Sequence, residues 1–304
     1  MAIHWSAPHL KTLLPPTLFA RLPETYCDPF SGAVEKTSIY NSASGEVLKE
    51  LVMPGMIRVD RNRMRKLCSE GLDIQYSKAL SELNYAEDGQ DITAIFVDGT
   101  SEHGHLLVGT DGPQSAVRAE LLGKEAAAAK SSNLASFMST VNYKDSEKAR
   151  HVRSANHIFC MAYNPDGIMN FISSELIPLY FPSSFGKYLT VFAVQNVLDP
   201  DDPRTWSFSI SSSWIGQLDP RLDRKARIAL LKQKVNASCG EPFKSAVEWI
   251  PDDDPTTIVS RIAYWVTEPW DNHGGRVTLA GDAAHPMTPC KNFQSPCGPT
   301  KILI

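Results

Sequence analysis

"RVTLAGDAAHPMTP" spans residues 276–289, and the rest of the chain is read outward from it. Val277 and Leu279 lie in an apolar run short enough for a buried strand. Gly281-Asp282 then marks a turn, and the two alanines after it open a small-residue helix. Open α/β sheets present backbone to ligands at such strand ends: a glycine admits close approach, and a carboxylate accepts hydrogen bonds from sugar hydroxyls. Beyond Pro289 the pattern stops. "CKNFQSPCGPTKILI" (290–304) carries no caps, no periodicity and no apolar face, so residues 292–304 are expected to form an irregular, exposed tail.

The same geometry recurs at "DGPQSAVR" (111–118), which follows the apolar strand "HLLVGT" and opens the helix "QSAVRAELLG", closed by Gly123. Asp111 and Gly112 stand at the strand's C-terminal end, the helix N-terminus favours a phosphate, and Arg118 either pairs an anion or holds Asp111. A third stretch, "DRNRMRKL" (60–67), places Arg61, Arg63 and Arg65 on a helix with Asp60 as N-cap and Gly71 as stop. Each has a plainer reading by itself. The first two are equally ordinary strand–helix turns, and the third a solvated basic face.

The intervening chain sets the fold class. Residues 3–14 show near-helical spacing before Pro15-Pro16, and "EKTSIYNSASGEVLKELVM" (35–53) alternates around Asn41–Gly45 as a hairpin. A strand meander runs from Asp73 toward Gly112. After Lys124 the chain turns strand-rich and aromatic, with one amphipathic helix from Asp223 to Asn236. Strand–helix alternation flanking an antiparallel middle predicts an α/β fold, α+β overall, in which one domain interrupts another.

Composition narrows the function classes. The chain has 304 residues, 42% hydrophobic and 21% charged, with a net charge of -4. Its basic residues are scattered, so neither nucleic acid nor a membrane surface is expected as a partner. Six cysteines without a C-x-x-C pair predict reduced thiols and a cytoplasmic location. The "HGH" at 103–105 reads as solvated turn histidines, and no metal site is expected. Nothing in the sequence reports on oligomeric state.

In this order, together with "AVQNVLDPDDPRTW" (193–206), "PFKSAVEWIPDD" (242–253) and "PWDNHGG" ahead of the opening stretch, these motifs resemble the aromatic-hydroxylase-like FAD-dependent monooxygenases, especially fungal FAD-binding members. The resemblance implies a Rossmann-like FAD-binding domain interrupted by a sheet-based substrate domain. It assigns 1–124 to the remainder of the FAD-binding domain, 125–266 to the substrate domain, 267–291 to a return segment and 292–304 to the tail. It implies FAD as cofactor, NAD(P)H as reductant and dioxygen acting on a small aromatic or electron-rich substrate, within secondary metabolism. Arg61 would contact FAD. Asp111 and Gly112, backed by Arg118, would lie by the pyrophosphate and the nicotinamide approach. Gly281 and Asp282 would hold the ribose–ribitol region, and His285, Pro286 and Pro289 would flank the flavin ring. No catalytic side chain is assigned, because the chemistry is the cofactor's.

Two family features are missing from the sequence: a G-x-G-x-x-G unit ahead of residue 1, and a G-x-G-x-N turn after Pro289. The expectation is a Rossmann-like domain incomplete at its N-terminus and altered at its C-terminus, with activity impaired. The stretch 172–191 is expected to be either a natural loop with a strand or translated intron. The alternative reading is a non-catalytic remnant that binds no FAD. An NAD(P)-only dehydrogenase is disfavoured, since no dinucleotide fingerprint remains.

Overall fold

Short elements open the chain because prolines punctuate it. In the computed structural model, which describes all residues except 1, 4, 5, 88, 156–157, 165–187 and 287–304, β1 (Ala2–Ile3) is followed by α1 (Ala7–Leu13) and α2 (Pro16–Ala20). Leu14 is extended at the break, as a residue preceding proline prefers. The single helix expected over 3–14 is therefore confined to Ala7–Leu13, and a second begins at Pro16. Next come β2 (Val34–Asn41) and β3 (Val47–Arg58), the expected hairpin. Its turn is set by Asn41, whose side-chain oxygen accepts from the amides of Ala43 and Ser44, and by Gly45 at φ +76°. In α3 (Arg61–Ser69) the Asp60 carboxylate caps the amides of Asn62 and Arg63, both at 2.9 Å.

The meander follows as β4 (Leu80–Tyr85), β5 (Ile92–Phe96) and β6 (Ser101–Gly104), then β7 (Leu107–Gly109), α4 (Ala116–Leu122) and α5 (Lys124–Ala127). The strand-rich middle holds β8 (Lys130–Val141), α6 (Ser146–Arg153), β9 (Phe159–Tyr163), β10 (Tyr188–Asn196) and β11 (Ser207–Ile215). The chain continues through α7 (Arg224–Ser238), α8 (Phe243–Glu248), β12 (Ile258–Tyr264) and β13 (Val277–Leu279). Of the stretch 172–191, residues 172–187 lie outside the described residues and the last four begin β10.

Contacts divide the described chain into two compact units. Residues up to 72, 133–164 and 188–260 form the larger; 73–132 and 261–286 form the smaller. The 1–124, 125–266 and 267–291 division is a statement about cofactor and substrate, and stays a proposal. By contact alone, residues up to 72 group with the middle of the chain, because the β2–β3 hairpin joins its sheet.

That sheet has the order β1-β3-β2-β9-β10-β11-β8-β12; from β1 to β8 the pairs are antiparallel except where β2 runs parallel to β9. One face carries a core in which Phe137, Phe208, Ile210 and Trp214 meet Ile228, Leu231 and Val235 of α7 and Phe243 and Val247 of α8. Alternation assigns the faces: Phe208, Ile210, Ser212 and Trp214 are buried, while Ser207, Ser209, Ser211 and Ser213 are half-buried on the other side. On that second face Ser211 pairs across the sheet with Met138 and Val191.

In the smaller unit the meander β4-β5-β6 stands beside a two-stranded parallel sheet, β7 with β13, over a core of Leu83, Ile92, Val117, Val277, Leu279 and Ala283. His103 and His105 are exposed, and both reach the Asp91 carboxylate, at 3.1 and 2.5 Å. Among the described residues no group of acidic, histidine and cysteine side chains is arranged to hold a metal ion.

Candidate cofactor site

Parallel pairing places two turns side by side. Leu107, Val108 and Gly109 lie opposite Val277, Thr278 and Leu279, and the Ala280 amide continues the ladder to the Gly109 carbonyl at 2.9 Å. Both strands thus end at the same edge, so Asp111-Gly112 and Gly281-Asp282 leave the sheet together. Gly109 makes the packing behind that edge: a Cβ there would sit 2.8 Å from both the Val117 Cβ and a Leu279 methyl. Only glycine lets α4 lie this close to the strands.

The first turn is tied down by its own side chains. One Asp111 carboxylate oxygen accepts from the amides of Ala116 (2.7 Å) and Val117 (3.2 Å), and the Ser115 hydroxyl accepts from the Arg118 amide (2.9 Å). The first three amides of α4 are therefore occupied. Those three amides are not free for the phosphate expected at this helix N-terminus. Ser115 is the true N-cap, a position legible in the D-G-x-x-S spacing but assigned in the sequence to the helix itself.

Arg118 is 1% exposed and faces neither an anion nor a bond to Asp111. Its guanidinium donates to the carbonyls of Ala127 (2.9 Å), Ala283 (2.7 Å), Pro113 (2.6 Å) and, more weakly, Asp282 (3.5 Å). Its flat face lies 4.7 Å from the ring centroid of Trp265, whose indole N–H donates to the Ala126 carbonyl at 2.7 Å. Burial lowers the pKa of Arg118 and the nearby Asp111 charge raises it, the net shift being downward. The role is mechanical: one rigid fork holds the turn after β7, the end of α5 and the turn after β13 at fixed spacing. Trp265 carried no periodic or motif signal that would have marked it in the sequence.

The second turn is left open. Gly281 has φ +59° and Gly112 φ +88°, and neither has an atom within 4 Å of where a Cβ would stand. Asp282 is exposed, and its carboxylate makes no hydrogen bond or ion pair among the described residues. The expected small-residue helix is here a single 3-10 turn, Gly281–Ala283. The His285 amide closes it onto the Gly281 carbonyl at 3.0 Å, and His285 itself is half-buried. Pro286 is buried, its carbonyl accepting from the Trp265 amide at 3.1 Å, and the Thr267 hydroxyl donates to the Ala284 carbonyl at 2.9 Å. Pro289 and the tail 292–304 lie outside the described residues. Arg61 belongs to the larger unit, where it stands exposed in the first turn of α3 without a hydrogen bond or ion pair among the described residues.

This arrangement suits one part of a flavin nucleotide better than another. An exposed carboxylate acceptor flanked by left-handed glycines fits a hydroxyl-bearing sugar or ribitol chain. The amides that open α4 are taken, so that helix start supplies no phosphate donor; at the second turn the amides of Gly281, Asp282 and Ala283 carry no hydrogen bond among the described residues.

Residues 53–293 match the family described as FAD binding domain. The FAD-dependent monooxygenase phnB of Penicillium herquei is 36% identical over 291 residues, covering 95% of this chain and 66% of the relative. The FAD-dependent monooxygenase dbaB of Emericella nidulans is 31% identical over 295 residues, covering 95% and 70%. Among solved structures, Klebsiella pneumoniae HpxO complexed with FAD and uric acid superposes with a TM-score of 0.65 at 16% identity, over 95% of this chain and 64% of that one, a likeness of fold. The chain thus spans about two thirds of the length of several relatives that it matches. The edge geometry, the match across most of the chain and these relatives together establish that the chain belongs to the FAD-dependent monooxygenase family.

Proposed function

We propose that the chain acts as an aromatic-hydroxylase-type monooxygenase, using FAD, NAD(P)H and dioxygen to hydroxylate a small aromatic or electron-rich molecule. The free, exposed Asp282 carboxylate at the paired strand ends carries the reading. Bound FAD would supply the redox chemistry, a two-electron couple between NAD(P)H and dioxygen. Asp282 accepts hydrogen bonds from the ribose–ribitol hydroxyls, and Gly112 and Gly281 let the cofactor approach without a side chain in the way. His285 and Pro286 border the flavin ring, and the family resemblance also assigns Arg61 and Pro289 to the cofactor. Asp111 and Arg118 hold this surface in shape. The second face of the large sheet, with half-buried Ser209 and Ser211 and exposed Met138, is the surface offered to substrate. No helix among the described residues is long and apolar enough to cross a membrane, and the described cysteines are free thiols; a cytoplasmic location belongs to this same reading.

The occupied amides of α4 favour a second reading, in which the chain does not retain FAD and activity is impaired. Titrating the purified chain into FAD and following flavin fluorescence separates the two. Quenching that saturates at micromolar concentration, weakened about tenfold by Asp282→Ala, a loss of ~1.4 kcal/mol, supports the first. Absence of quenching in a folded chain supports the second. A panel of phenolic substrates then tests hydroxylation by substrate-stimulated NADPH oxidation.

A further inference from the structure

In the larger unit, the last turn of α6, the 28–31 loop and the segment before β11 enclose a cleft of about 450 Å³ that the cofactor reading does not use. Its floor is a built ion pair. Asp28 is 4% exposed, and its carboxylate accepts from the amides of Phe30 (3.0 Å) and Ser31 (3.1 Å), from the Ser31 hydroxyl (2.6 Å) and from Arg153. Arg153 is further fixed by Trp206, whose ring centroid lies 4.3 Å from its guanidinium carbon. Asp28 has no acceptor capacity to spare for a cation. Arg153 keeps Nε and Nη1 without a hydrogen bond among the described residues.

One turn earlier on α6, Arg150 also lines the cleft, exposed and without a hydrogen bond or ion pair among the described residues. Two guanidiniums against one carboxylate leave the cleft one positive charge. Its walls are flat and apolar: Trp206, Pro200 and Phe30, a residue 56% exposed. An exposed phenyl group beside an unpaired guanidinium is complementary to a ligand with a planar apolar body and an anionic end. The volume is that of a one- or two-ring molecule. Asp199 and Asp201 flank Pro200 and are exposed, which disfavours a doubly charged phosphate at the mouth.

From this charge count and shape we infer that the cleft is a binding site for an aromatic monocarboxylate, held by Arg150 and Arg153 and stacked against Phe30 and Trp206. The site lies wholly within the larger unit, so its test does not depend on FAD.

Calorimetric titration of the 304-residue chain, without added FAD, uses 1-naphthoate as probe, with 1-naphthamide and 1-naphthyl phosphate as its neutral and dianionic analogues. Naphthoate binds one to one with a Kd of roughly 10–500 µM, and the amide binds at least about tenfold more weakly. Arg150→Glu, an exposed position that leaves the melting temperature unchanged, weakens naphthoate at least about tenfold, while Arg65→Glu on α3 leaves it within about twofold. Failure of naphthoate to bind the folded chain at millimolar concentration overturns the site. So does equal binding by Arg150→Glu or by the amide. Tighter binding of naphthyl phosphate overturns the preference for a single charge.

Discussion

The two strand-end turns of the smaller unit use the same pair of residue types in opposite order, and with opposite results. In Asp111-Gly112 the acid comes first, and its carboxylate reaches forward to cap α4. In Gly281-Asp282 the left-handed glycine comes first and the acid is carried past the strand end with nothing to bind. A carboxylate at the edge of a parallel sheet is available to a ligand only when the helix after it does not claim it. Ser115 and Asp111 together satisfy three amides at one turn; the other turn ends in a single 3-10 turn, with no helix in the described residues to make that demand.

The largest test of this contrast removes what joins the turns. Arg118→Met deletes a buried fork and strands several carbonyls, so stability in urea falls by roughly 3–5 kcal/mol. Lysine at the same position recovers only part of that, having no planar fork. A loss under 1 kcal/mol would show that the two turns hold their spacing independently. Gly109→Ala comes next, since its Cβ must displace Val117 or Leu279; overpacking costs about 1–3 kcal/mol, read as a fall in melting temperature. Gly281→Ala has open space around it and meets only the left-handed backbone penalty of about 1–2 kcal/mol.

The acids themselves give a smaller and sharper difference. Asp111→Ala loses a cap worth about 1 kcal/mol and leaves FAD affinity within about threefold. Asp282→Ala leaves stability within about 0.5 kcal/mol and lowers FAD affinity about tenfold. Equal losses of both properties in both variants would erase the distinction. The smallest effect is at Asp91. Partial burial pushes its carboxyl up, hydrogen bonds from His105 and His103 more than offset this, and the group titrates below its ordinary value. In acid, where the histidines carry charge, stabilisation from this pairing is present above the ordinary carboxylate range and is lost as pH falls through the depressed value. Melting curves of the parent and of His103→Ala/His105→Ala should therefore differ near pH 5 and converge in stronger acid. A constant difference across that range would assign it to something other than Asp91.

Much of this was legible because local rules and the fold agree. Asp60 caps α3, Asn41 and Gly45 turn the hairpin, and Gly123 at φ +79° ends α4, each where its residue type predicts. The pairing of the two turns followed from their shared strand–Gly/Asp form. What escaped is what no spacing encodes. The guanidinium of Arg118 satisfies backbone carbonyls from three segments, and a carbonyl leaves no mark on the residue that bears it. Trp265 is identified by the ring it offers that guanidinium and by its hydrogen bonds to the Ala126 and Pro286 carbonyls. The pairing of β2 with β9, more than a hundred residues later, is likewise marked by no spacing in the sequence.

The register of β7 with β13 also constrains when this edge can exist. Leu107 meets Val277, and closing a loop of about 170 residues costs roughly 4–5 kcal/mol of chain entropy before any contact repays it. At ribosomal speeds of about 5–20 residues per second, β7 waits roughly 10–30 s for its partner to emerge. During that interval Leu106 and Val108, still 59% and 46% exposed in the finished fold, sit on an unpaired strand. The larger unit's residues up to 260 are synthesised before the partner strand, so among the described residues this edge is completed late, and until then it is an unpaired, aggregation-exposed strand.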